Sequence, residues 1–221
     1  MNESLKSLSE TQKHEEIMLR LKIETKPLHD STETHQFQKV LGTGKIKRSD
    51  YISYLEQLFL IHSNLAEKLK ERSSDPKIGS VLKDRHTCVL ALSEDLSCFA
   101  VATEKIVPLK ATEKFINKIE EIAQESAISL LGILYVLEGS THGAKYMAKN
   151  LRAGLNLIDR NGSSYFDRYG EEQMNFWLQF KKDMNNQPFT EKEKSEIINL
   201  AKETFNTFSE IGTEILAKSE S

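Results

Sequence analysis

Tyr51, Leu55, Leu58, His62, Leu65 and Leu69 recur at intervals of four and three, the spacing of one face of an α-helix. A second stripe of this kind, Ile197, Ala201, Phe205, Phe208, Ile211 and Ile215, runs near the C-terminal end with Thr204 on its edge. Two long amphipathic helices must bury their apolar faces against something, and further helices are the natural partners. Ser49 and Asp50 stand where the first of these helices would be capped. Thr190 and Glu193 have the spacing of a capping box for the last. Only ten glycines and four prolines occur in 221 residues, which makes a turn-rich all-β chain a poor alternative. Punctuation falls at residues 72–79, 103–112, 159–170 and 185–188, with helical patterns between. The expected fold is all-α, a single multi-helix domain.

The remaining composition excludes several functions. Thirty Lys and Arg against 33 Asp and Glu leave a net charge of −3, too balanced for an electrostatic grip on nucleic acid. The apolar run at 130–137 is far short of the ~20 residues that cross a bilayer. Helix-compatible residues flank it from 126 to 151, which predicts a long buried helix. The first six residues hold no signal-peptide core. Cys88 and Cys98 are too far apart along a helix to form a disulfide, so a reducing, cytoplasmic setting is expected. No P-loop, Gly-x-Gly-x-x-Gly or Cys-x-x-Cys occurs, and no histidine follows a glutamate by three, as di-iron bundles require.

Two constellations remain. Lys22, Lys26, His29 and Glu33 step by four, three and four, which places them on one helix face. A neutral imidazole there can ligate a metal, with the carboxylate orienting its other nitrogen and the lysines meeting anionic groups. A solvated face with an ordinary histidine fits the same spacing. Pro27 implies that the helix starts near Thr25 or bends there. In the second constellation, Gly132, Gly139 and Gly143 share a stripe in the 126–151 helix. Each costs about 1 kcal/mol against alanine, so close approach of a neighbouring helix or a flat ligand must compensate. Glu138 and His142, four apart, are spaced for a surface pair, although His142 could instead enter a pocket. His62, on an apolar stripe, reads as a satisfied core histidine; His14, His35 and His86 belong to no constellation.

Leu21-Lys22-Ile23-Glu24-Thr25-Lys26-Pro27-Leu28-His29-Asp30-Ser31-Thr32-Glu33 resembles the proximal helix of the heme oxygenases, where a Leu-Lys-x-x-Thr-x-x-x-His-x-x-x-Glu pattern supplies the axial histidine. Leu134-Tyr135-Val136-Leu137-Glu138-Gly139-Ser140-Thr141-His142-Gly143 resembles the distal helix, especially that of bacterial members. The resemblance covers residues 15–217 and leaves 1–14 as an N-terminal extension.

The resemblance implies a heme oxygenase-like fold with heme held between the proximal and distal helices. His29 would ligate the iron, and the backbone at Gly139 and Gly143 would lie close over the porphyrin, leaving room for dioxygen. Lys22, Lys26 and Lys181 become candidates for the heme propionates, Phe37 and Phe205 for packing on the ring, and Glu33 for the proximal side. The implied reaction converts heme, dioxygen and electrons from an external reductase or ferredoxin to biliverdin, carbon monoxide and ferrous iron. The animal enzymes carry aspartate in place of Ser140 and arginine in place of Val136, so Ser140 or His142 is expected to organise a different distal network. A heme carrier or sensor that leaves its ligand intact is the alternative on the same fold. A different enzyme acting on a nitrogen heterocycle, or a helical interaction module, would leave His29 and the glycine stripe without a role.

Overall fold

The computed structural model describes residues 16–219, so the extension expected at 1–14 and His14 lie outside it. Among the described residues there are nine α-helices and no strand. They are α1 (Ile17–Thr34), α2 (Gln36–Gly42), α3 (Arg48–Glu71), α4 (Pro76–Val81), α5 (Val89–Ser97), α6 (Lys110–Glu125), α7 (Leu131–Leu155), α8 (Gln173–Asn185) and α9 (Glu191–Ser219). Short 3-10 turns lie in four of the eight connections, including Ala127–Leu130 before α7 and Tyr165–Asp167 after it.

The two stripes read from the sequence face inward. Tyr51, Leu55, Leu58, Leu65 and Leu69 on α3 are buried, as are Ile197, Ala201, Ile211 and Ile215 on α9. α9 lies along α1 and α7, while α3 packs on α5 and α6, so α9 forms one wall shared by the proximal and distal segments. The α9 N-terminus carries the expected reciprocal cap: the Glu193 amide donates to Thr190 Oγ1 at 3.2 Å and the Thr190 amide donates to Glu193 Oε2 at 2.6 Å. The α3 cap falls elsewhere. The helix begins at Arg48 after Lys47, which leaves Asp50 inside the first turn, where a carboxylate suits the positive end of the helix dipole.

α1 begins at Ile17, well before Thr25, and continues through Pro27 to Thr34. The missing Pro27 amide therefore does not separate Lys22 from His29; both belong to one helix. α7 is shorter at its start than the 126–151 reading, because residues Ala127–Leu130 wind as a 3-10 turn. Cys88 and Cys98 flank α5, and both thiols are free.

The glycines of α7 divide by neighbour. A Cβ at Gly132 would run into the Ile197 carbonyl and lie 2.9 Å from the Ala201 amide nitrogen, so this glycine lets α7 and α9 touch backbone to backbone. A Cβ at Gly139 would meet only the edge of Trp177 at 3.8 Å, and one at Gly143 would meet nothing within 4 Å. Helix packing thus accounts for Gly132 and leaves Gly139 and Gly143 unexplained.

Candidate functional site

Gly139 and Gly143 border a cavity of about 770 Å³ between α1 and α7, within the range of small-molecule and cofactor sites. α3 contributes Tyr54 and Leu58, α8 contributes Trp177 and Lys181, and α9 contributes Phe205 and Phe208. Most of the wall area is apolar, and α1 contributes more of the polar residues than any other element.

On α1, Lys22, Lys26, His29 and Glu33 all line the cavity. The His29 ring stands edge-on to Phe205, with centroids 5.9 Å apart. Its Nδ1 is 3.5 Å from Asp30 Oδ1 and its Nε2 is 3.8 Å from Glu33 Oε1; the second distance is too long for a hydrogen bond. One ring nitrogen is therefore untied. Asp30, which the sequence reading passed over, approaches the imidazole more closely than Glu33 does. Lys26 Nζ holds the Asp30 carboxylate at 2.7 Å and keeps it below the ordinary carboxylate range. One ligand atom from each of His29, Asp30 and Glu33 lies within 4.8 Å of the others, a spacing that can hold a metal ion.

On α7, Ser140 and His142 line the cavity, but both are already engaged. Ser140 Oγ donates back to the Leu137 carbonyl at 2.8 Å. His142 Nδ1 lies 3.1 Å from both the Gly139 carbonyl and Gln173 Nε2, donating to the first or accepting from the second according to its tautomer. Its ring stands edge-on to Trp177 at 5.0 Å.

Two expectations are corrected. Phe37 is absent from the cavity wall: it is fully buried in α2, pressed on Gly212 of α9 and edge-on to Tyr54 at 4.9 Å. Phe205, by contrast, reaches the cavity. Glu138 does not pair with His142; it turns inward, buried, and accepts from Tyr169 Oη at 2.9 Å and from Arg168 Nη2 at 3.3 Å. Burial pushes its carboxyl up, against the pull of Arg168.

Several wall residues escaped the sequence reading: Tyr54, Tyr165, Trp177 and Arg168. Arg168 follows the 3-10 turn after α7, and one signal for it was available. A glutamate inside an otherwise apolar helix face needs a buried cation, and residues 159–170 supply one. Behind this wall His62 Nε2 lies 2.9 Å from Tyr165 Oη, so His62 is a satisfied core histidine. Burial pushes it down to about 3, which keeps it neutral. Tyr54, also buried, is pushed up to about 12. His35 caps α2 through Nδ1, and His86 accepts from the Lys83 amide at 3.2 Å.

A sequence profile described as heme oxygenase matches residues 15–214. The chain is similar to the heme oxygenase of Guillardia theta, 25% identical over 195 residues that cover 86% of this chain and 82% of that one. It is 23% identical to a heme oxygenase of Takifugu rubripes over 203 residues, 90% of this chain and 73% of the other. Among solved structures, heme oxygenase-1 of Synechocystis sp. PCC6803, crystallised in complex with heme, superposes with a TM-score of 0.86 at 17% identity, covering 92% of this chain and 93% of that one. The heme oxygenase of Leptospira interrogans superposes at 0.84 and 21% identity, covering 90% and 99%. These structural likenesses establish a shared fold.

Proposed function

The chain belongs to the heme oxygenase family, and from that premise we propose that the cavity between α1 and α7 binds heme and that the protein oxidises it to biliverdin, carbon monoxide and ferrous iron. The observation that carries the reading is the pairing of an untied histidine nitrogen on one wall with two glycines on the other that no neighbouring side chain explains. The residues present fit a flat, apolar, dianionic ligand. The cavity is large enough for a cofactor, Leu58, Phe205 and Phe208 supply apolar wall, and Lys22, Lys26 and Lys181 are cations of the same lining.

Bound heme supplies an iron centre at which dioxygen is reduced by electrons delivered from outside, and its own macrocycle is the group oxidised. The protein's task is position and charge. His29 would offer its untied nitrogen to the iron, while Asp30, fixed by Lys26, would orient the ring from beside the other nitrogen. Glu33 adds a second carboxylate, 3.8 Å from Nε2 itself. Gly139 and Gly143 keep side-chain atoms off the opposite face, so the ring can approach the α7 backbone. Ser140 and His142, turned toward the α7 backbone, border that face.

The reaction needs a protein electron donor, a reductase or a ferredoxin. The two free cysteines are consistent with a reducing, cytoplasmic location, and no described helix is long and apolar enough to cross a membrane. Hemin titration into the purified protein tests the reading: an intense Soret band saturating at one equivalent is expected, and it should lose its normal form in His29→Ala. Titration with no defined complex would overturn it.

A further inference from the structure

Arg168 is a buried cation whose guanidinium is only partly paired. Its side chain is 7% exposed, and it forms part of the cavity wall. Nη2 donates to the Leu137 carbonyl at 3.2 Å and to Glu138 at 3.3 Å, which ties the guanidinium to α7 just before Gly139. The group lies between two rings, 5.0 Å from the Tyr165 centroid and 4.8 Å from that of Tyr169. Its Nε–H is buried and has no protein partner.

Several other polar groups of the wall have partners. The Thr25 hydroxyl donates to the Leu21 carbonyl, the Ser140 hydroxyl to the Leu137 carbonyl, and Tyr165 Oη is paired with His62. His142 is engaged with Gly139 or Gln173. A buried charged donor left unpaired is destabilising, and such groups commonly hold ordered water or a ligand atom. The surroundings also favour negative charge. Glu138 is paired by Arg168 alone, with Arg85 adding a weaker pull from further off, while His62 is held neutral by burial.

We propose, building on the heme-binding reading above, that Arg168 is the distal polar residue of this chain: fixed to Leu137 and Glu138, its incompletely paired guanidinium holds a water molecule or a small anion on the α7 side of bound heme. Arg168 then acts from outside the helix, where the Ser140 hydroxyl and His142 Nδ1 are turned to contacts of their own. The Tyr165–His62 pair behind it keeps the guanidinium in place.

The test uses the ferric hemin complex with azide as the probe, and follows the acid–alkaline transition of the same complex. In Arg168→Gln, azide should bind about tenfold more weakly, the size of one lost charged hydrogen bond. The transition midpoint should rise, because a positive donor no longer favours the deprotonated form. Arg168→Lys, which keeps the charge but loses the fork, should fall between. Arg168→Leu combined with Glu138→Leu removes both buried charges together and serves if the single variants fold poorly. Variants that fold, take up hemin with a normal His29 spectrum, and keep wild-type azide affinity and midpoint would overturn the assignment of Arg168. Failure of the unaltered protein to take up hemin would overturn the heme reading itself, a separate and distinguishable result.

Discussion

Gly143 gives the sharpest separation between a residue kept for the fold and one kept for a ligand. It lies within α7, and a Cβ there would meet nothing within 4 Å. Alanine should therefore fit the hemin-free protein without displacement. It should stabilise the helix by about 1 kcal/mol through propensity alone. For a domain of this size that corresponds to a rise in melting temperature of roughly 2–4 °C. Gly132→Ala should do the opposite. Its Cβ would meet the Ile197 backbone, which cannot rotate away, so overpacking costs of ~1–3 kcal/mol or more exceed the propensity gain. Hemin affinity should reverse the comparison for Gly143→Ala, since the new methyl stands where a flat ring must approach. A clash of ~1.5 kcal/mol weakens binding about tenfold. Circular dichroism melts of the hemin-free variants and Soret titrations give both numbers. A Gly143→Ala protein that melts lower, or that binds hemin as tightly as wild type, would refute the reasoning.

Glu138→Ala leaves the Arg168 guanidinium buried without its carboxylate and should cost about 3–5 kcal/mol in urea denaturation. A loss under 1 kcal/mol would mean that the pair is hydrated. His62 and His86 are both pushed down to about 3 by burial, below a free histidine, so the unfolded chain binds protons that the folded chain refuses. Stability should be at its full value above about pH 6.5 and fall toward pH 3, by up to ~1.4 kcal/mol per pH unit for each histidine, and His62→Gln should flatten that slope in urea titrations at pH 7.5, 6 and 5. Cys88 is buried and its thiol is pushed up to about 11, whereas Cys98 is exposed. A thiol reagent should therefore modify one cysteine promptly and the other only on unfolding; two equally fast reactions would contradict the packing around α5.

What was legible in the sequence followed from periodicity. The α3 and α9 stripes, the Thr190–Glu193 cap and the common face of Lys22, Lys26, His29 and Glu33 depend on residues one turn apart, and a helix fixes those relations. What was not legible depends on contacts between distant segments. Gly132, Gly139 and Gly143 look alike along α7, yet only the approach of α9 distinguishes the first from the other two. Phe37 and Phe205 are both aromatic and both near the site in sequence pattern, but Gly212 admits Phe37 into the core. Arg168 comes from an irregular segment with no periodicity to place it, and its partner Glu138 lies thirty positions earlier. The surface pair of Glu138 and His142 failed for the same reason, because i,i+4 spacing permits a contact that a buried cation can outcompete.

The central claim is that this cavity holds heme by His29 and that the heme is consumed there. A single-turnover experiment tests it most directly: the purified protein is loaded with one equivalent of hemin, then given a reductant in air while the visible spectrum is followed. The account predicts a Soret band that decays as biliverdin absorption grows and carbon monoxide is released, with His29→Ala unable to form the starting complex. A Soret band that persists under a competent reductant would contradict the claim and leave a heme carrier on this fold.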